Sequence, residues 1–425
     1  MSMKFTKEYA LEADAQDRLS PLRKEFRIPQ HEGEDVMYFT GNSLGLQPVK
    51  AKQYIEEELE DWANLGVEGH EHARRPWMPY HENFTKSLAR IVGAEESEVV
   101  SVGTLTNNLH LLMVSFYRPT KNRYKILCEA KAFPSDQYAL ASQARFHGYE
   151  PKDAIIEVAP REGEHTIREE DFLQVIEEHG ESIAMMMVGG VNYYTGQVFD
   201  MGKLTSAAQK KGIVVGWDLA HGVGNIELKL HDWNVDFAAW CTYKYLNSGP
   251  GSIAGLFVHK RHHGLSDIPR FEGWWGHDKS TRFAMPDQFV PIPTAEAWQL
   301  SNAPVFAMAA QRASLDLYDK VELAELRAKG RKLSQYLRFV LAEVSVQTGQ
   351  PIEVITPSGE SESGCQVSTL FPGQGKDLFN RLLAKGVIAD WREPHVIRLA
   401  PVPMYNSFTD IYRFGETLLA ELKNA

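Results

Sequence analysis

Three side chains carry the chemistry that this sequence offers most directly: Asp218, His221 and Lys244, within the stretch from Trp217 to Gly251, WDLAHGVGNIELKLHDWNVDFAAWCTYKYLNSGPG. Each polar group follows an apolar run, Gly212–Val215 for the acid and a second run ending in Thr242, Tyr243 and Lys244 for the lysine. Taken singly, an Asp ending a strand is usually a cap and a Lys there is usually solvated. Together they suit pyridoxal phosphate. A lysine amine condenses with the cofactor aldehyde as a Schiff base. A carboxylate keeps the pyridine nitrogen protonated, so that the ring accepts electrons from a carbanion. Lys244 lies among Tyr, Asn, Ser and small residues with apolar runs on both sides, which is not the setting of a surface lysine.

Positioning two such groups at one crevice requires strands that end side by side. Apolar, β-branched or aromatic runs followed by polar residues read as strands buried on both faces, and in an open α/β sheet the residues just past them line the ligand crevice. The candidate strands are 98–102, 125–128, 154–158, 183–188, 213–217, 237–241 and 253–258, with helical stretches between most of them. That alternation predicts an α/β fold with a mostly parallel seven-stranded sheet covered by helices. From about Pro304 a long helical pattern leads into short strands, 366–370 and 397–400, which read as a smaller α+β C-terminal domain. The expected division is residues 1–65 as an N-terminal segment, its first 35 residues helical, packing with the small domain, 66–303 as the large cofactor-binding domain, and 304–425 as the small domain.

The 425 residues, 43% of them hydrophobic, exceed what one core usually holds. A net charge of -11 argues against nucleic acid or a membrane as the main partner. Cys128, Cys241 and Cys365 are odd in number and far apart, which predicts reduced, buried thiols. The first twenty residues are charged throughout, and no stretch reaches the length of a membrane span, so a cytoplasmic protein is expected.

Further stretches join the crevice by their positions after candidate strands. GTLTNNLHLL opens a helix with hydroxyls and free amides, a suitable phosphate site. AKAFPSDQYAL offers Phe133 to lie on a ring, with Asp136 beside it, and GGVNYYTGQVFD permits close backbone approach. GNSLGLQP, residues 41–48, is a loop by composition. His70 and His72 lack a Cys, Asp or third His to complete a metal site, so no metal is expected, and His70 remains a candidate active-site contact. GVGNIE has only the first two glycines of a dinucleotide fingerprint, Gly373–Lys376 lacks the rest of a phosphate loop, and neither GxSxG nor HExxH occurs.

FTGNSLGLQP, GHEHARRPW, TLTNNLHLL, FPSD, YYTGQ, WDLAHGVGN, HDWNVDFAAWCTYKYLNSGPG, GWWGHDKSTRF, SNAP and RLAPVPMYNSF, in this order from about residue 39 to 408, together resemble the kynureninases. The resemblance implies a fold type I pyridoxal-phosphate enzyme of tryptophan catabolism. Its reaction would be hydrolysis of the Cβ–Cγ bond of L-kynurenine to anthranilate and L-alanine, extending to 3-hydroxykynurenine. Matched motif by motif, Lys244 would be the Schiff-base lysine, Asp218 the pyridinium partner and Tyr243 a catalytic phenol. Leu105, Thr106, Phe133, Pro134, Ser135, Asp136, His221, Tyr243, Trp274 and Asn302 would hold the cofactor. Ser43, His70, Trp274, Asn302 and Arg398 would meet the substrate, with Arg398 gripping its α-carboxylate. The resemblance further implies a homodimer with the site at the subunit interface, Trp274 and Asn302 coming from the neighbouring chain. A desulfurase-like lyase and a non-catalytic binding protein share the architecture. The first needs a mobile cysteine, and the second is at odds with an intact Asp218 and Lys244.

Overall fold

The computed structural model describes residues 2–265 and 267–423. Seven strands form its main sheet: β1 (Val99–Ser101), β2 (Lys125–Glu129), β3 (Ile155–Val158), β4 (Ile183–Gly189), β5 (Val214–Asp218), β6 (Phe237–Trp240) and β7 (Gly255–Val258). Their spatial order is β1-β7-β6-β5-β4-β2-β3. Six strands run the same way and β7 alone is antiparallel to both of its neighbours.

Alternate residues serve two different cores. Leu127, Met186, Val188, Val215, Trp217, Ala238 and Trp240 pack into one. Ile126, Cys128, Met185, Met187, Phe237, Ala239 and Leu256 pack into the other. With both faces covered, the strands read as continuous apolar runs rather than as alternating patterns.

A second sheet, β8 (Glu353–Val354), β9 (Val367–Leu370), β10 (Asp390–Arg392) and β11 (Val396–Leu399), is antiparallel in the order β8-β9-β11-β10. The helices Leu323–Thr348 and Phe408–Lys423 cover it through Leu333, Leu337, Val340, Ile411, Phe414 and Leu418. Ala10, Met37 and Phe39 join this core, and Met37–Tyr38 pairs with Val387–Ile388. The helix Ala51–Leu65 packs along the helix Val305–Tyr318 through Ala51, Tyr54, Ala309 and Ala313.

Two expectations need correction. The N-terminal segment is less helical than its composition suggests: one α-helix, Lys7–Gln16, precedes a 3-10 turn, Ser20–Glu25, and short paired strands. Pro21, Pro29 and Gly33, the last with φ +84°, interrupt helical hydrogen bonding. The strand before the lysine ends at Trp240, so Lys244 stands in a loop four residues further on. Thr242 leaves the ladder to donate its hydroxyl proton to the Ile253 carbonyl and to accept the Ser248 N–H at its own carbonyl. Among the described residues, no helix is long and apolar enough to cross a membrane.

Candidate active site

The pocket forms where parallel strands end together. Asp218 is the last residue of β5, register-paired with Gly189 at the end of β4. Its carboxylate is buried and accepts the Ala220 N–H at 2.7 Å. Lys244 reaches the same place from the loop after β6, its Nζ 3.0 Å from His221 Nε2 and 5.9 Å from the centre of the Phe133 ring. The crevice predicted from strand ends is thus the place where acid, histidine, lysine and aromatic ring meet.

Local structure explains how each group is delivered. Pro134 begins the helix Pro134–Phe146, with Ser135 and Asp136 in its first turn and Phe133 as its cap. That start holds Phe133 at the pocket, 40% exposed, and buries Asp136. Leu105 and Thr106 begin the helix Leu105–Phe116, whose cap residue Thr104 makes no side-chain bond to the first turn. Amides left uncapped at a helix start are a ready site for a phosphate. Ser43 belongs to a tight turn in which Gly45 donates its N–H to the Tyr243 carbonyl at 2.7 Å. A Cβ at Gly45 would collide with the Lys244 carbonyl and Asn247 Oδ1, so only glycine lets this loop lie against the lysine.

Electrostatics divide the carboxyl groups by task. Asp136 is pushed well above the usual carboxylate range, first by burial and then by Asp218 and Glu129. Asp218 is also raised by burial, but the Ala220 N–H, the Lys244 charge and a hydrogen bond from Asp136 all favour its ionised form. Of this pair Asp136 holds the proton and Asp218 the charge. Burial, reinforced by Lys244, Arg398 and Arg392, holds the His221 imidazole well below its ordinary value, so the ring is neutral and its Nε2 accepts from the lysine. The Tyr243 phenol is raised by burial and by Cys241, which keeps it a proton donor.

Arg398 enters from β11 of the second sheet, 1% exposed. Its Nη1 donates to the Tyr193 carbonyl at 2.6 Å and its Nη2 to Asp390. Tyr193 lies in the loop after β4 and packs its ring edge-on against Phe133, 5.2 Å between centroids. The arginine of one sheet is thereby tied to the aromatic residue of the other.

Three candidates stand apart from this cluster. His70 is half-buried and sets its ring edge-on to Trp77. Trp274, 48% exposed, packs on Trp275 and Phe283 and donates its indole N–H to the Arg282 carbonyl. Asn302 is exposed. Within the chain none of the three bonds to Asp136, Asp218, His221 or Lys244. Of the two adjacent tryptophans, Trp275 is 3% exposed beneath the Arg282 guanidinium, leaving Trp274 as the outward one. Sequence reasoning missed Glu129, Tyr193, Asp390 and Arg392. The first ends an apolar strand as Asp218 does, a signal that could have found it; Tyr193 lies in the GGVNYYTGQVFD stretch placed at the crevice, and Asp390 and Arg392 carry no local signal.

The residues present fit pyridoxal phosphate. Asp218 offers a buried carboxylate without an arginine partner, and Lys244 makes no ion pair among the described residues. His221 Nδ1 is buried without a partner among the described residues, Phe133 presents an open face, and the helix start at Leu105 is uncapped.

Fold and pocket together define a fold type I enzyme of the class-V aminotransferase group. The class-V aminotransferase family model matches residues 37–358. Among solved structures, the apo cysteine desulfurase of Thermococcus onnurineus NA1 superposes with a TM-score of 0.78 at 17% identity, over 95% of this chain and 98% of that one. The cystine C-S lyase C-DES, bound to cysteine persulfide, gives 0.76 at 16% identity, over 92% of this chain and 97% of that one. Those likenesses show the fold alone. Residues 326–418 match the kynureninase C-terminal domain model. The kynureninase of Christiangramia forsetii is 57% identical over 98% of both chains. That of Myxococcus xanthus is 55% identical over 97% of this chain and 96% of its own, and that of Nematostella vectensis 49% over 98% and 94%. This chain belongs to the kynureninase family. The desulfurase-like alternative has no support in the thiols either, since Cys128, Cys241 and Cys365 are all buried.

Proposed function

We infer that this chain is a pyridoxal-phosphate-dependent hydrolase that cleaves the Cβ–Cγ bond of L-kynurenine, with water, to anthranilate and L-alanine. The observation that carries the reading is the meeting of a free lysine amine, a buried ionised aspartate and a buried arginine around His221. Near full-length identity to kynureninases selects the substrate. When bound, the cofactor supplies an electron sink for the carbanion at the substrate Cα.

The chain's own groups do the rest. Asp218 holds the negative charge that matches a protonated ring nitrogen, and Asp136 supports it by donating its proton toward it. Lys244, in a partly desolvated pocket beside neutral His221, is placed to take the proton from the substrate Cα. Tyr243, adjacent to the lysine and held as a neutral phenol, manages the proton on the γ-carbonyl oxygen as water adds. Arg398 grips the α-carboxylate, a task for a planar fork rather than a point charge. Ser43 and the Leu105–Thr106 helix start close the substrate and phosphate ends.

The protein acts as a cytoplasmic homodimer in which Trp274 and Asn302 meet the ring of a substrate bound with Lys244 of the partner, a ring that His70 also contacts. Support comes from exposed apolar groups: Trp62 packs on Phe306 and Trp274 on Phe283, each at least 40% exposed in the single chain. Three free thiols suit a reducing compartment. The 3-hydroxy derivative of the substrate is accepted too. The test is anthranilate fluorescence, and 3-hydroxyanthranilate absorbance, on adding each substrate to the cofactor-loaded protein. Wild type releases both products; Lys244→Ala releases neither and lacks the visible band of lysine-bound cofactor. A yellow wild type releasing no anthranilate overturns the assignment.

A further inference from the structure

The reading of Arg398 as the carboxylate grip leaves open what fixes a long, flexible side chain in one plane. Arg398 and Asp390 are direct register partners on β11 and β10. The Asp390 carboxylate accepts from Arg398 Nη2 and, at 3.0 Å, from Arg392 Nη2. Arg398 Nη1 is held from the opposite side by the Tyr193 carbonyl. On β9 the register partner of Arg398 is Ser368, whose hydroxyl donates to the Tyr194 carbonyl at 2.6 Å and accepts from the Gln366 amide. Tyr245 faces Arg398, and His221 lies within the field of both arginines. Two guanidinium groups thus share one carboxylate. The cluster is one negative charge short, the complement of a single carboxylate ligand.

We propose that Asp390 is a positioning residue for substrate binding, fixing the Arg398 guanidinium in the plane that an α-carboxylate meets. The proposal rests on Arg398 being the carboxylate grip. An arginine loses substantial rotamer freedom when a ligand orders it, and a brace that orders it beforehand removes that cost from binding. Here the brace has two arms from different sheets, Asp390 of β10 and the loop after β4 that carries Tyr193. Removing Asp390 leaves the guanidinium one acceptor and frees it to swing toward solvent or Arg392. Arg392, sharing the same carboxylate, loses its partner in the same step.

The experiment compares Asp390→Ala, Asp390→Asn and Arg398→Lys as cofactor-loaded enzymes. It measures kcat and KM for L-kynurenine, the affinity for L-alanine from the change in visible absorbance, and the Tm of each cofactor-free protein. The expected result is that Asp390→Ala raises KM and weakens L-alanine about tenfold, with kcat and cofactor retention near wild type and Tm lowered because two guanidinium groups lose their carboxylate. Asp390→Asn, which keeps an acceptor oxygen, recovers most of the loss. If Asp390→Ala leaves KM and L-alanine affinity within twofold while Arg398→Lys raises KM and weakens L-alanine, the brace is refuted and the grip stands. If neither variant changes them, the assignment of Arg398 falls, and the brace with it. A fall in Tm and cofactor retention that accounts for the KM change, without recovery in Asp390→Asn, means a merely structural aspartate and overturns the proposal.

Discussion

The Lys244 amine lies 3.0 Å from Nε2 of His221, an imidazole kept neutral by burial and by the cations around it. With Nε2 accepting, the ring proton belongs on Nδ1, which is buried and has no partner among the described residues. An unpartnered buried donor costs stability, and here that cost keeps an acceptor aimed at the lysine. His221→Leu should therefore fold at least as stably as wild type yet capture pyridoxal phosphate about tenfold more weakly, since the amine loses the acceptor that orients it. Absorbance titration of the cofactor-free protein against the cofactor measures the second effect and a thermal melt the first. Unchanged cofactor affinity would sink this role.

Tyr243 offers a sharper division between catalysis and cofactor retention. Burial beside Cys241 keeps its phenol protonated across the working range, so it can give a proton but not lose one to bulk water. Tyr243→Phe should lower kcat by about two orders of magnitude, the usual loss of one general acid or base. If turnover hardly changes while cofactor affinity falls, the phenol serves the phosphate and not the reaction.

Glu129 predicts a pH dependence of stability. Its carboxyl is fully buried at the end of β2, where both oxygens receive the Gly189 N–H at 3.2 Å. Burial first, then Asp218 and Glu157, raise it to about 8 from its ordinary 4.5. Cys128 on its own strand and Asp136 on the neighbouring helix complete the groups around it. The unfolded chain releases this proton near pH 4.5 and the folded chain keeps it until about pH 8. Stability therefore falls as pH rises through that window, because the folded state binds more protons. Glu129→Gln, neutral at every pH, should gain about 4 °C in Tm relative to wild type between pH 5 and pH 8.5. Parallel Tm profiles for the two cofactor-free proteins would show that Glu129 does not hold its proton.

Mixing experiments separate own-chain from partner-chain contributions. Lys244→Ala and Trp274→Ala should each be inactive alone. If Trp274 serves the partner's pocket, mixed dimers hold one complete site. Co-refolded mixtures should then recover about a quarter of wild-type activity, from random pairing of the two chains. No recovery would place Trp274 in its own chain's pocket.

Much of this protein was legible along the chain. Seven apolar runs became seven strands within one or two residues of their ends, because burial on both faces writes itself locally as unbroken hydrophobic sequence. Asp218 and Lys244 stood out because polar groups directly after such runs must line the crevice of a parallel sheet. The order of the motifs was enough to point to the family. Pairings between residues distant in sequence were decided only by tertiary structure. Asp136 and Glu129 lie seven residues apart in sequence but come from a helix start and a strand end, and only packing makes them neighbours of Asp218. Asp390 became the partner of Arg398 through an antiparallel register, and Tyr193 reached the same guanidinium from 205 residues away. Nothing in the paired letters WW told which ring is covered. Arg282 stacks on Trp275 and leaves Trp274 outward. Local pattern records how deeply a segment is buried; which groups meet inside is set by how the segments pack.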